Sequence, residues 1–131
     1  MTNTEATLYD IDGGAAWITL NRPDNRNALS QILVSELHSH LSAAIADPAV
    51  RCIVITGNGP SFCAGADLKN QGKPGSGPTF VDVLKLIVAS EKPVIAAVNG
   101  AAFAGGLGLV GACDIIVSAE DAQFSFSEVR I

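Results

Sequence analysis

Aromatic residues make up only 5% of the 131 positions, and cations are few, with 8 lysines and arginines against 13 acidic residues. No basic run occurs, and the net charge is −5. That balance argues against nucleic-acid binding, which needs a cationic footprint. An anionic ligand is still allowed, because local cations decide that. No apolar run is long and uninterrupted enough for a membrane span. Met1 to Glu5 carry neither a basic segment nor an apolar signal core, so a cytoplasmic setting is expected. The three cysteines, Cys52, Cys63 and Cys113, form no Cys-x-x-Cys pair. They read as buried apolar thiols rather than as disulfides or metal ligands.

Other absences remove whole classes of chemistry. There is no Gly-x-Ser-x-Gly elbow. His38 and His40 lie two apart on a helical stretch and so point to different faces. Both observations argue against a serine hydrolase built on Ser61, Ser125 or Ser127. Gly65 to Gly72-Lys73 is too widely spaced for a phosphate-binding loop, and Pro74 stands where a hydroxyl is needed. Gly105-Gly106-Leu107-Gly108 lacks the glycine spacing of a dinucleotide site.

What is present is apolar and alternating. The composition is 48% hydrophobic, and the mean hydropathy is +0.35. This suits one domain with a substantial core. Leu8–Ile11 and Ala15–Leu20 flank Asp12-Gly13-Gly14, a hairpin signal. Asn21 to Asn25 is turn chemistry. Ser30 is placed to cap a helix whose Leu33, Leu37, Leu41 and Ala44 share one face. Asp47-Pro48 should end it. Arg51–Gly57, Val94–Val98 and Asp114–Ser118 read as buried parallel strands. Residues 71–78 are rich in breakers and form a surface loop. Helices are expected over Phe80–Ala89 and Gly105–Ala112, and a short one from Leu68 to Asn70. Gln123 to Glu128 reads as a short strand or turn. The alternation predicts an α/β fold with a mainly parallel sheet.

Two small-residue turns dominate this pattern. Ser61 to Leu68 and Asn99 to Gly106 each follow an apolar strand, and each is expected to open a helix. Small residues permit close approach to the backbone. A helix N-terminus offers unpaired N–H groups. Brought face to face, two such turns would cradle a developing oxyanion.

Four ordered segments carry a resemblance. These are ITLNRPDNRNAL (18–29), SFCAGADLK (61–69), KPVIAAVNGAAFAGGLGL (92–109) and ACDIIVSAEDAQFSFSEVRI (112–131). Together they resemble the crotonase superfamily, the enoyl-CoA hydratases and isomerases, from about Leu8 to the last residue. The resemblance implies a crotonase-like spiral of ββα units. Residues 1–131 would be the N-terminal half of a single acyl-CoA-binding domain, without its C-terminal helices. It further implies trimers that pair into hexamers.

By this resemblance, the N–H groups of Ala66 and Gly105 form the oxyanion hole. Ala64 and Leu68 contact the adenine of coenzyme A through their backbones. Ala28 lines the pantetheine path, Lys69 meets the CoA phosphates, and Arg26 and Arg22 are further candidates for anion contact. Glu128 matches one of two catalytic carboxylates. Coenzyme A belongs to the substrate, and no separate cofactor or metal is implied. Asp67 reads as a structural carboxylate.

The chain departs from the hydratase pattern at Gly108, where the second catalytic glutamate should stand. Syn addition of water uses one group to activate water and one to protonate the α-carbon. The leading expectation is an enoyl-CoA hydratase-type lyase acting through Glu128. A double-bond isomerase with Glu128 as single base follows closely. A catalytically silent acyl-CoA binder comes third. A non-enzymatic partner similar in fold to the related Clp-type protease subunits comes last.

Overall fold

The computed structural model describes residues 5–73 and 75–126. Strands β1 (Thr7–Asp12) and β2 (Ala15–Leu20) form an antiparallel hairpin. Gly13 and Gly14 turn it with φ of +57° and +90°, the positive values that a two-residue hairpin turn requires. A single 3-10 turn, Pro23–Asn25, leads to α1 (Gln31–Ala46). Ser30 caps α1 by accepting from Leu33 N at 3.2 Å. The chain continues through β3 (Cys52–Gly57), β4 (Ser61–Cys63) and α2 (Phe80–Ala89). It then runs through β5 (Val94–Val98), β6 (Ala101–Phe103), α3 (Gly105–Ala112), β7 (Ile115–Ser118) and β8 (Phe124–Ser125).

Two sheets result. The larger has the order β1-β2-β3-β5-β7, and the smaller β4-β6-β8. Apart from the hairpin, every pairing is parallel. Strand pairs β3–β4, β5–β6 and β7–β8 each send one strand to each sheet. That is the ββα repeat, and it winds the chain as a spiral.

The corners between sheets are tight. A Cβ on Gly100 would lie 1.9 Å from the Pro60 carbonyl oxygen, and one on Gly57 would lie 2.7 Å from that of Ser61. Two asparagines staple these corners. Asn99 accepts from Gly57 N at 3.0 Å and donates to the carbonyls of Gly59 and Ser61. Asn27 is fully buried, and it donates to the carbonyls of Asn58 and Ser61. Its φ of +55° is one that asparagine tolerates better than most side chains.

The core lies between α1 and the larger sheet and extends to α2 and α3. Leu33, Leu37 and Leu41 meet Ile18, Leu20, Ile53 and Ile55, all fully buried, and Phe62 joins them from β4. His40 stacks on Tyr9 with ring centroids 4.9 Å apart, a packing role. Among the described residues no helix is long and apolar enough to cross a membrane.

Three expectations are corrected. Residues 68–70 form no helix but a single turn, closed by Asn70 N on the Asp67 carbonyl at 3.2 Å, while the Asp67 carboxylate takes the Lys69 N–H at 3.2 Å. The two small-residue turns are not pure turns, since each contains a three-residue strand, Ser61–Cys63 or Ala101–Phe103. Only the second turn opens a helix. Finally, β7 is not buried. It lies at the edge of the larger sheet, with Ile115, Ile116 and Val117 half exposed. An apolar run shows what a strand can bury, and an edge position leaves part of it uncovered.

Candidate active site

β4 and β6 lie side by side in the smaller sheet, so the segments that leave them emerge together. Gly65 has φ +102°, and a Cβ there would come within 3.0 Å of Ala104 Cβ and 3.5 Å of Gly105 N. The two small-residue segments therefore touch.

The orientation of the Ala66 amide follows from its peptide plane. The Gly65 carbonyl, on the same plane, accepts from Leu29 N at 2.7 Å. A trans peptide points its N–H opposite to its C=O, so the Ala66 N–H faces away from Leu29. Gly105 opens α3, where N–H groups have no intrahelical partner. Neither amide makes a hydrogen bond to a described residue. Both residues line one cavity of about 530 Å³, together with Leu29, Val34, Thr79 and Phe80. Its size falls within the usual range for small-molecule sites.

Ala104, which joins β6 to α3, has φ +52° and ψ −118°. Such a conformation strains any residue with a Cβ, typically by roughly 1–3 kcal/mol. Ala104→Gly is expected to raise stability by about 1 kcal/mol after the entropic cost of glycine. Urea denaturation of the two proteins checks this.

A second cavity, of about 360 Å³, is lined by Arg22, Lys69 and Asn70, and it shares Ser30, Gln31 and Gly72 with the first. The two therefore adjoin. The smaller is cationic at Arg22 and Lys69, and the larger, which Lys73 also lines, presents the Ala66 and Gly105 amides among mainly apolar walls.

Of the expected site residues, Ala66 and Gly105 are thus brought together and Lys69 is placed next door. Ala28, Ala64, Leu68 and Arg26 line neither cavity. Ala28 is buried and Leu68 is 86% exposed. Ala64 donates its N–H to the Arg26 carbonyl at 3.0 Å. Arg26 is exposed and holds φ +53°. Glu128 lies outside the described residues. Gly108 sits on α3, where among the described residues a Cβ would meet only Phe80 Cε2 at 3.9 Å. Among the described residues no aspartate or glutamate lines the larger cavity.

The cysteines are structural. Cys63 is fully buried, and burial pushes its thiol up to about 11. Burial likewise pushes half-buried Cys113 up to about 12. Neither is a thiolate at neutral pH.

Two contributors to the cavity carried no signal as site residues. Gln31 donates through Nε2 to Ser35 Oγ and to the Ser76 carbonyl, holding the 71–78 loop against α1. Phe80 is set in place by a capping box, in which Thr79 Oγ1 accepts from Asp82 N and Asp82 Oδ2 accepts from Thr79 N. The Thr-x-x-Asp pattern marks that helix start in the sequence. The position of Gln31 against the loop has no local signature.

The profile of the enoyl-CoA hydratase/isomerase family matches residues 10–131. The chain belongs to that family. Among curated relatives of this family member, a 2,3-dehydroadipyl-CoA hydratase of Escherichia coli is 40% identical over 118 residues, covering 87% of this chain and 46% of that protein. An enoyl-CoA hydratase of Mycobacterium tuberculosis is 40% identical over 132 residues, covering 94% and 50%. The chain thus spans about half the length of the curated relatives it matches. Among solved structures, an enoyl-CoA hydratase of Mycobacterium smegmatis superposes with a TM-score of 0.84 at 36% identity, covering 95% of this chain and 51% of the other. A monofunctional enoyl-CoA isomerase of M. smegmatis gives 0.81 at 32% identity, covering 97% and 56%. The crotonase fold is therefore shared with both kinds of enzyme.

Proposed function

We propose that this chain forms the thioester-binding and oxyanion-stabilising part of an enoyl-CoA hydratase-type enzyme, with Glu128 as acid/base. The observation that carries the reading is the pair of amides, Ala66 and Gly105, that face one cavity and make no hydrogen bond to a described residue. Water adds to a 2-enoyl thioester at C3, and the electrons move onto the thioester oxygen as an enolate. Two preorganised N–H donors stabilise that charge more than they stabilise the starting carbonyl. Glu128 takes the proton that the added water releases and delivers it to C2, which completes the product. Ser125 lies opposite Phe103 in the β6–β8 ladder, and its carbonyl accepts from Ala104 N at 2.8 Å. Glu128 follows three residues later in the sequence. The cationic cavity at Arg22 and Lys69 suits the phosphates of coenzyme A.

A second reading is double-bond isomerisation, in which Glu128 takes a proton from C2 or C4 and returns one to the other carbon. Gly108, and a cavity without a described carboxylate, favour this single-base chemistry. Coenzyme A is part of the substrate in both readings, and a trimeric or hexameric cytoplasmic enzyme belongs to both.

The test incubates the protein with 2-enoyl- and 3-enoyl-CoA and analyses the products by mass. Gain of one water identifies the hydratase. A shifted double bond at unchanged mass identifies the isomerase. Binding without either product leaves an acyl-CoA-binding homologue. Glu128→Gln is expected to cut turnover by at least about a hundredfold while sparing acyl-CoA affinity, as loss of a general acid–base group does. Retained turnover would remove Glu128 from the mechanism.

A further inference from the structure

We propose that Asp67 is the positioning residue for the Ala66 donor, holding the oxyanion turn against the segment before α1. This rests on the assignment of Ala66 made above. The direction of the Ala66 N–H depends on Leu29 N bonding the Gly65 carbonyl, and on either side of it the same segments are joined by Ala64 N to Arg26 O at 3.0 Å, Asp67 N to Leu29 O at 3.3 Å and Gln31 N to Asn70 O at 2.8 Å. Leu29 and Ala66 form an isolated bridge outside both sheets. These backbone bonds lie outside both sheets, and the bond at the Asp67 amide is the longest of them, so the turn there draws on side-chain support.

The Asp67 side chain supplies it. The residue is only 7% exposed. Its Oδ2 accepts from Asn25 Nδ2 at 2.7 Å and from Asn70 Nδ2 at 2.9 Å, and Oδ1 accepts from Lys69 N at 3.2 Å. Asn25 lies four residues before Leu29, and its carbonyl accepts from Ala28 N at 3.1 Å. One carboxylate thus ties the residue just past Ala66 to the turn that leads into Leu29. Gln71 closes the arrangement from the other side, donating to the carbonyls of Leu29 and Asp67. All three donors to the carboxylate are neutral, and such bonds to an ionised acceptor are shorter and stronger than neutral pairs. The same bonds, that from Asn70 foremost, hold the Asp67 carboxyl below its ordinary value.

Asp67→Asn keeps the shape but sets an NH₂ group against donors. Its effect is read first by hydrogen exchange, without ligand. Exchange at the Leu29 amide is expected to rise by at least about tenfold, the scale of losing a bond to a charged group. The Leu37 and Leu41 amides within α1 should be unchanged. The carbonyl stretch of a bound enoyl-CoA thioester should move back toward its solution frequency. The rate constant kcat should fall about tenfold with KM nearly constant, since a displaced donor acts on the transition state. Asn25→Asp combined with Asp67→Asn reverses the donor and acceptor of one bond and should recover part of each effect. Asn25→Ala, at an exposed position, gives the same readouts more weakly and covers the case in which Asp67→Asn fails to fold.

Unchanged exchange at Leu29 in these variants overturns the proposal. So does faster exchange with wild-type carbonyl frequency and kcat. A wild-type protein that leaves the carbonyl stretch unshifted overturns the oxyanion assignment itself, and exchange at Leu29 then still decides whether Asp67 holds the turn.

Discussion

Gly106→Ala is expected to lower stability by about 3 kcal/mol or more, the upper range for overpacking a closely fitted interior. The added Cβ would stand 2.2 Å from the Cys63 carbonyl oxygen and 2.9 Å from Cys63 C and Cβ. These are mostly backbone atoms of β4, and they cannot retreat without carrying the Gly65–Ala66 segment with them. Of a typical total of roughly 5–15 kcal/mol, such a loss leaves little. Gly111→Ala is the matched control. It lies five residues further along α3, where a Cβ meets no described residue within 4 Å. Alanine there should stabilise by about 0.5–1 kcal/mol through the ordinary helix preference. Urea denaturation of both variants, with helix content followed by circular dichroism, checks the opposite signs. A small effect of Gly106→Ala would mean that α3 and β4 are not in close contact.

Replacing the Gly105 amide by an ester, through incorporation of glycolic acid at that position, is expected to lower kcat for an enoyl-CoA thioester by about 10²–10³-fold, the cost of one oxyanion donor. The change removes a hydrogen-bond donor and adds no bulk. Folding should survive, because the first N–H groups of a helix have no intrahelical partner. Affinity should change little, because the charge that this donor meets develops only in the transition state. An ester at Leu107 provides the contrast. That amide donates to the Ala104 carbonyl at 3.0 Å within the helix turn. Its loss should cost about 1 kcal/mol of stability and leave kcat nearly intact. Single-turnover kinetics on both semisynthetic proteins separates these cases. Equal rates in the Gly105 ester and the unmodified protein would place the oxyanion elsewhere.

Much of the fold was legible because its boundaries are chemically marked. Gly13-Gly14, Ser30 and Asp47-Pro48 delimit the hairpin and α1 where the sequence predicts them. Phe80–Ala89 and Gly105–Ala112 were also readable, from periodicity in one case and from the preceding turn in the other. Strands β4 and β6 were not. Three residues are too few to show a period of two, and their pairing joins positions about forty residues apart. Residues 68–70 look helical locally, but the Asp67 carboxylate competes for the backbone there.

The candidate site divides in the same way. Ala66 and Gly105 stand out because small residues after strands allow close approach. The Asn25–Asp67–Asn70 junction and the hold of Gln31 on the loop depend on contacts between distant segments, which no local pattern encodes.

The donors proposed at Ala66 and Gly105 are main-chain groups, and on that reading this sets where the molecule is vulnerable. A complete scan of side-chain substitutions would leave both N–H groups in place in every variant except proline. Among the losses near the site, the deep ones would fall one position away, at Gly65 and Gly106, where a side chain has little room. A tolerance map of this protein would therefore trace the walls that hold the chemistry in place and show the reacting point itself as nearly silent.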